Sequence, residues 1–236
     1  MTEASEERVG AEAAGLDVVT VDGPAGAGKS VCTKLLAERL GLEYLNTGAM
    51  YRAIALKALR TGAKLDDEPT LAAIARGVVL ESVDGRTLMD GEDVTDAVRA
   101  NEVSQAVRYP ANAPSVREIM VDQQRRVGLG KPIVTEGRDQ GTVVFPDARC
   151  KFYLTASAEE RARRRLGELR ARGEDADLNE ILRQIVDRDR SDSEREVGPL
   201  CEPKDAVRVE TDGKTIEQVV DEMERAVRER LLVFRR

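Results

Sequence analysis

Two hydrophobic rhythms alternate along this chain. Residues 17–22, DVVTVD, are a short β-branched run ending at glycine, which predicts a buried strand. KSVCTKLLAERLG, 29–41, takes helical spacing and stops at Gly41. EYLN at 43–46 predicts a short strand, AMYRAIALKALR at 49–60 a helix, and 69–76 a further short helix. VVLESVDGRTLMDGEDVT then sets two Asp-Gly turns between short alternating runs, the pattern of a small antiparallel meander. Beyond it the spacing predicts a helix over 113–128 and strands at 132–136 and 150–155. Two highly charged helices at 158–172 and 178–195, a strand at 206–211 and a helix at 215–233 complete the chain. Strands alternating with helices imply a parallel sheet covered on both faces, an α/β class, and the meander reads as an inserted lobe. Residues 1–16 are small and acidic and are expected to form a disordered tail, unlike a signal or transit peptide, ahead of a single domain over 17–236.

Composition narrows the chemistry. The chain has 236 residues and no histidine, which excludes Ser-His, Cys-His and HExxH mechanisms together. Its three cysteines, Cys32, Cys150 and Cys201, are too widely spaced for a zinc site and too few for a disulfide framework, so a reduced, cytoplasmic setting is expected. A net charge of -7 and 3% aromatic residues argue against nucleic acid as partner. No apolar run approaches the ~18 residues that span a bilayer.

GPAGAGKS, 23–30, matches G-x-x-x-x-G-K-[ST] between a strand and a helix, the context that the motif needs. Gly23, Pro24, Ala25, Gly26, Ala27, Gly28, Lys29, Ser30 and Val31 are therefore the candidate nucleotide-binding stretch. Glycines let backbone N–H groups turn toward phosphate oxygens, Lys29 reaches the terminal phosphates, and the Ser30 hydroxyl ligates Mg²⁺. ATP or GTP with Mg²⁺ is the expected donor.

The acceptor side must lie where other strands end. LNTGAMYRA, 45–53, places Thr47, Tyr51 and Arg52 after one strand, and EGRD places Glu136, Arg138 and Asp139 after another. DRDRSDSER, 187–195, sets Arg188, Asp192 and Arg195 on one helical face, suited to a phosphate and a ribose. ERARRR, 160–165, offers Arg161, Arg164 and Arg165 as mobile charge over a transferring group. A base-reading N-K-x-D is missing from the chain, which argues against a switch GTPase. A kinase for a small acceptor, a regulatory nucleotide-binding protein and an RNA binder remain open at this point, in descending order of support.

From Val18 to about Val227 the chain resembles the bacterial cytidylate kinases. The likeness rests on DGPAGAGKS, LNTGAMYRA, DGEDVT, EGRDQGTVVFPDA and DRDRSDSEREVGPL. The resemblance implies a P-loop kinase fold with a five-stranded parallel sheet, a monophosphate-binding insert over about 65–112 and a short helical lid over about 157–190. It implies ATP and Mg²⁺, with CMP or dCMP as acceptor and a monomer as the working form. Carried over by position, Arg52, Arg138 and Arg195 hold the acceptor phosphate, and Arg188 and Asp192 contact the sugar. Arg117 and Asp139 read the cytosine edge, and Thr47 and Tyr51 join the substrate site. Lys29, Arg138, Arg164 and Arg195 act on the transferring group, and Ser30, with Glu136 through water, holds the metal. Counted back without gaps from Arg117, the family's base-contacting serine position holds Arg108, with Ser104 as the substitute if the loop shifts.

Overall fold

In a computed structural model the described residues are 18–83 and 85–233, with side chains described through residue 230. The expected tail over 1–16, and Asp84 of the first Asp-Gly turn, lie outside them. Strand β1 (Val18–Asp22) is buried along its whole length and lies at the centre of a five-stranded sheet. Its neighbours are β6 (Ile133–Gly137) and β7 (Cys150–Thr155), flanked by β2 (Glu43–Asn46) and β8 (Val207–Glu210) in the order β2-β6-β1-β7-β8. Every pairing is parallel. Each strand must therefore return through a crossover, and all their carboxyl ends emerge on one rim.

The sheet separates two cores. Val19 and Val21 of β1, with Phe152 and Leu154, pack with Leu36 of α1 (Lys29–Leu40) and Met223 of α9 (Ile216–Val233). Val18 and Ile133 belong to the opposite core, with Ile54 of α2 (Thr47–Thr61), Leu71 of α3 (Glu68–Gly77) and Met120 of α6 (Pro114–Gly128). By the period of two, Thr20 and Asp22 share the Val18 face.

The meander is β3 (Leu80–Val83), β4 (Arg86–Met89) and β5 (Glu92–Asp93). Its second turn has Asp90 at φ 53 and Gly91 at φ 80, the left-handed pair that a tight hairpin demands. Lys57–Asp90 at 2.9 Å and Arg60–Glu92 at 2.7 Å tie this lobe to α2. Three short pieces that periodicity did not predict follow it: a 3₁₀ turn at Ala97–Arg99, α4 (Asn101–Ala106) and α5 (Arg108–Asn112). A single π-type turn at Gln140–Val144, after β6, was also not expected. Helices α7 (Ala158–Ala171) and α8 (Leu178–Glu194) form a hairpin with a small apolar cluster of its own, Ala162, Leu166 and Ile181. No described helix is long and apolar enough to cross a membrane.

Candidate functional site

The loop between β1 and α1 is shaped by what its neighbours leave free. A Cβ on Gly23, at φ 145, would stand 1.9 Å from the Leu154 carbonyl oxygen, so only glycine lets β1 turn past β7. Lys29 is 6% exposed, and its Nζ donates to the carbonyls of Gly23 and Pro24, each at 2.7 Å. Burial and the nearby Arg138 push its pKa well below the ordinary value, while Glu136, Asp22 and Asp192 oppose the shift. Those four charges therefore converge on the loop lysine. Arg164 stands beside Gly28, held by Glu160 at 3.1 Å and by the Thr211 hydroxyl at 3.0 Å and carbonyl at 2.8 Å.

Ser30 lies close to the Tyr44 hydroxyl, which in turn donates to Glu136 Oε1. Burial and the Glu136 carboxylate push the Tyr44 phenol upward, so it stays a donor. One hydroxyl and one carboxylate, both hard oxygen donors, meet here, and no cluster of three acidic or thiol ligands exists among the described residues. Such a sparse set fits Mg²⁺, which keeps most of its waters and takes substrate phosphates as ligands.

Around this point the arginines gather. Arg138 Nε donates to Asp192 Oδ2 at 2.7 Å. Burial works against the Arg138 charge, but Asp192, Glu136 and Asp22 outweigh it and raise its pKa. Arg52 has its pKa lowered by burial and by repulsion from Arg99 and Arg138, against the pull of Glu136. More than a third of Arg188 is open to solvent, yet protein crowding its head and repulsion from Arg138 and Arg52 lower its pKa too. Arg195 is lowered by burial and by Arg117, and its Nε donates to the Gly198 carbonyl at 2.5 Å. Mutual repulsion among crowded cations marks a place suited to an anion.

Arg117 and Asp139 form a buried ion pair, and a second Arg117 bond reaches the Ala111 carbonyl at 3.0 Å. The Arg117 guanidinium also lies over the Tyr51 ring, 5.4 Å from its centroid. Tyr51 faces Gln124 without closing a hydrogen bond of ordinary geometry, and burial pushes its hydroxyl up to about 12. Thr47 does something other than face outward: its hydroxyl donates to the Glu136 carbonyl at 2.6 Å and fastens α2 to the end of β6. Gly137 has no room for a side chain, since a Cβ would meet Gln140 at 2.7 Å and Thr47 at 3.0 Å.

The two candidates for the serine position lie in neighbouring short helices, Ser104 in α4 and Arg108 at the start of α5. Ser104 lines a cavity of ≈ 190 Å³ with Arg52, Arg99 and Asn101. Arg108 is exposed, its guanidinium stacked on the neighbouring Tyr109 ring at 4.9 Å. Of the two candidates for the serine position, Ser104 thus shares a cavity wall with Arg52, while Arg108 packs on Tyr109.

Two residues here were not expected as functional. Asp22 accepts from the backbone N–H of Gln140 at 2.9 Å and Gly141 at 2.7 Å, and so fixes the turn behind Asp139. A carboxylate at the inward end of a wholly buried strand was the available signal. Tyr44 was read only as part of a strand, and nothing local to EYLN points at Glu136.

A sequence-family profile described as cytidylate kinase matches residues 19–229. A cytidylate kinase of Citrifermentans bemidjiense is 48% identical over 218 residues, 91% of this chain and 94% of that protein. One from Caldanaerobacter subterraneus is 48% identical over 211 residues, 89% of this chain and 94% of that protein. Among solved structures, a gluconokinase from Sinorhizobium meliloti is similar over 92% of this chain and 96% of its own, at 14% identity and a TM-score of 0.48. With a match that spans nearly the whole of the chain's sheet and helices, this chain belongs to the cytidylate kinase family.

Proposed function

We propose that the chain transfers the γ-phosphoryl group of ATP to CMP and dCMP, giving CDP and dCDP. Family membership supports the reaction class. The acceptor site rests on one observation. Eight buried side-chain N or O atoms lack a hydrogen-bond partner among the described residues, and four of them belong to Tyr51, Arg52, Arg117 and Arg195. Unused polar capacity concentrated in one place suits a polar ligand.

The reaction is a direct displacement. An oxygen of the acceptor phosphate bonds to the γ-phosphorus while the bond from that phosphorus to the β,γ-bridging oxygen breaks, and ADP leaves. The attacking oxygen is already ionised near neutrality, because a second phosphate pKa is about 6, so no general base is required. Lys29 exchanges its two loop carbonyls for phosphate oxygens, whose charge restores its own. Arg52, Arg138 and Arg195 hold the acceptor phosphate, with Arg188 and Asp192 at the sugar. Ser30, and Glu136 through water, would hold Mg²⁺, which would neutralise charge on the donor phosphates. Arg164 covers the transferring group from α7, and the α7–α8 hairpin is the lid that excludes water.

Base choice falls to Arg117 and Asp139. Arg117 Nε is unpartnered and would donate to an acceptor such as cytosine N3 or O2, while Asp139 would accept from the 4-amino group. UMP would set O4 against the carboxylate, acceptor to acceptor, at about 1–3 kcal/mol. The protein works as a monomer in the cytoplasm on small nucleotides. Its kinase domain covers 17–236, with the acceptor insert near 65–112 and the lid near 157–190.

A panel of CMP, dCMP, UMP, dTMP and shikimate with ATP–Mg²⁺, read as ADP released, tests this. CMP and dCMP are expected to turn over well and the others poorly. Equal rates with UMP would remove the base assignment, and no ADP with any acceptor would leave a nucleotide-binding protein without transferase activity.

A further inference from the structure

Arg161 is not a mobile arginine waiting for phosphate, although it shares the ERARRR run with Arg164. It is 4% exposed and every arm of its guanidinium is committed. Nε donates to the Ala156 carbonyl at 3.0 Å, at the start of its own helix. Nη1 donates to the Ala25 carbonyl at 3.1 Å, within the phosphate loop. Nη1 and Nη2 also grip both carboxylate oxygens of Asp189, at 3.0 and 2.6 Å. Its side chain lies along the loop, since a Cβ on Gly26 would meet Arg161 Cβ at 3.3 Å.

Asp189 follows Arg188 directly and precedes Asp192 by less than one helical turn, and Asp192 binds Arg138 at 2.7 Å. A continuous run of hydrogen bonds and one rigid turn of α8 therefore joins the donor loop to the acceptor arginines. The surroundings give this link leverage. The apolar cluster of α7 and α8 is separate from both cores of the sheet, so little hydrophobic packing fixes the hairpin against the loop. A planar two-pronged contact holds one orientation, which a lysine in the same place does not.

We infer that Arg161, paired with Asp189, is a positioning residue that couples the two substrate sites: filling the phosphate loop sets the α8 turn carrying Arg188 and Asp192, and so tightens the acceptor. The inference rests on the kinase reading above. Coupling between sites is reciprocal, and typical values are about 5- to 150-fold.

The test uses the full chain and its Arg161→Lys, Asp189→Asn and double variants. Calorimetry gives the CMP dissociation constant with and without a non-hydrolysable ATP analogue and Mg²⁺, and the analogue's constant with and without CMP. In the parent the analogue is expected to tighten CMP at least about 5-fold, and CMP to tighten the analogue equally. In each single variant that enhancement is expected to fall toward one, while each ligand alone binds within about 3-fold of the parent. The double variant is expected to lose no more than either single one, as members of one unit do. Unchanged enhancement in the variants, or absence of any enhancement in the parent, overturns the inference, as does a loss confined to the analogue bound alone. If Arg161→Lys does not fold, the Asp189→Asn variant decides by the same readings. Failure of the kinase reading would appear separately, as a parent that releases no ADP with CMP.

Discussion

In the proposed site Asp139 answers to two partners at once, the base assigned to it and the Arg117 guanidinium that it neutralises. Its removal should therefore separate into two effects. In Asp139→Ala the ratio of kcat/KM for CMP over UMP is expected to fall by about 5- to 150-fold, the equivalent of about 1–3 kcal/mol for one buried polar match. The same change leaves Arg117 buried without its carboxylate, and about 3–5 kcal/mol of stability should go with it. Steady-state kinetics with both nucleotides on one preparation decide the first point, because a ratio cancels the folded fraction; an unchanged ratio takes Asp139 out of base selection. Asp22 offers a prediction with a definite sign. Burial raises its pKa from 3.8 to about 6, against the two backbone N–H groups and Lys29 and with help from Asp139. Between about pH 4 and 6 the folded chain keeps a proton that the unfolded chain has released. Stability from this group is therefore greatest below pH 4 and declines as pH rises to 6, by about 3 kcal/mol in all. Urea unfolding of the parent and Asp22→Asn across pH 4–7 should show the variant gaining relative stability as pH rises, whereas parallel curves would mean that Asp22 keeps an ordinary pKa.

Among the elements, what the sequence disclosed depended on whether a segment's structure is decided by its own residues. Strands β1, β6 and β7 and helices α1, α2, α6 and α9 carry their period over at least five residues, and the structure places them within two residues of the expected bounds. Asp90-Gly91 disclosed its hairpin because both positions adopt positive φ. Helices α4 and α5 have 6 and 5 residues, under two turns each, too short for a period to register. The turn over 140–144 was illegible for a different reason. GTVV reads like strand, but Asp22 holds its first two amides and Gly141 is crowded by Thr20, Lys151 and Pro203, so its shape is imposed from other elements. The candidate site divides the same way. Lys29, Arg52, Arg138 and Asp192 sit in motifs just beyond strands or on a charged helical face, and were legible there. Arg161 and Tyr44 act through partners distant in sequence, Asp189 and Glu136, and nothing in their own neighbourhoods announces it.

The whole molecule is two apolar cores sharing one sheet, with a third, small cluster inside the α7–α8 hairpin. Local stability follows buried apolar contact, so opening should be graded along these lines rather than uniform. Ile181 is the one buried side chain that α8 contributes, while β1 is buried at all five positions. What fastens the hairpin is largely polar: Arg161 to Asp189 and the loop, Arg164 to Thr211, and Asp192 to Arg138. Two of those three ties end on charges that the proposed site assigns to the substrates, a reading on which ligands and hairpin are linked energetically. Hydrogen exchange followed by mass spectrometry is expected to show α7 and α8 amides exchanging at least about 10-fold faster than those of β1 and β6 in the free protein, equivalent to about 1.4 kcal/mol less protection. An ATP analogue with CMP should then slow α8 more than either ligand alone, while leaving β1 unaltered. Uniform protection of the hairpin and the sheet in the free protein would mean that the hairpin is held as firmly as the core, and that closing it contributes nothing to excluding water from the transfer.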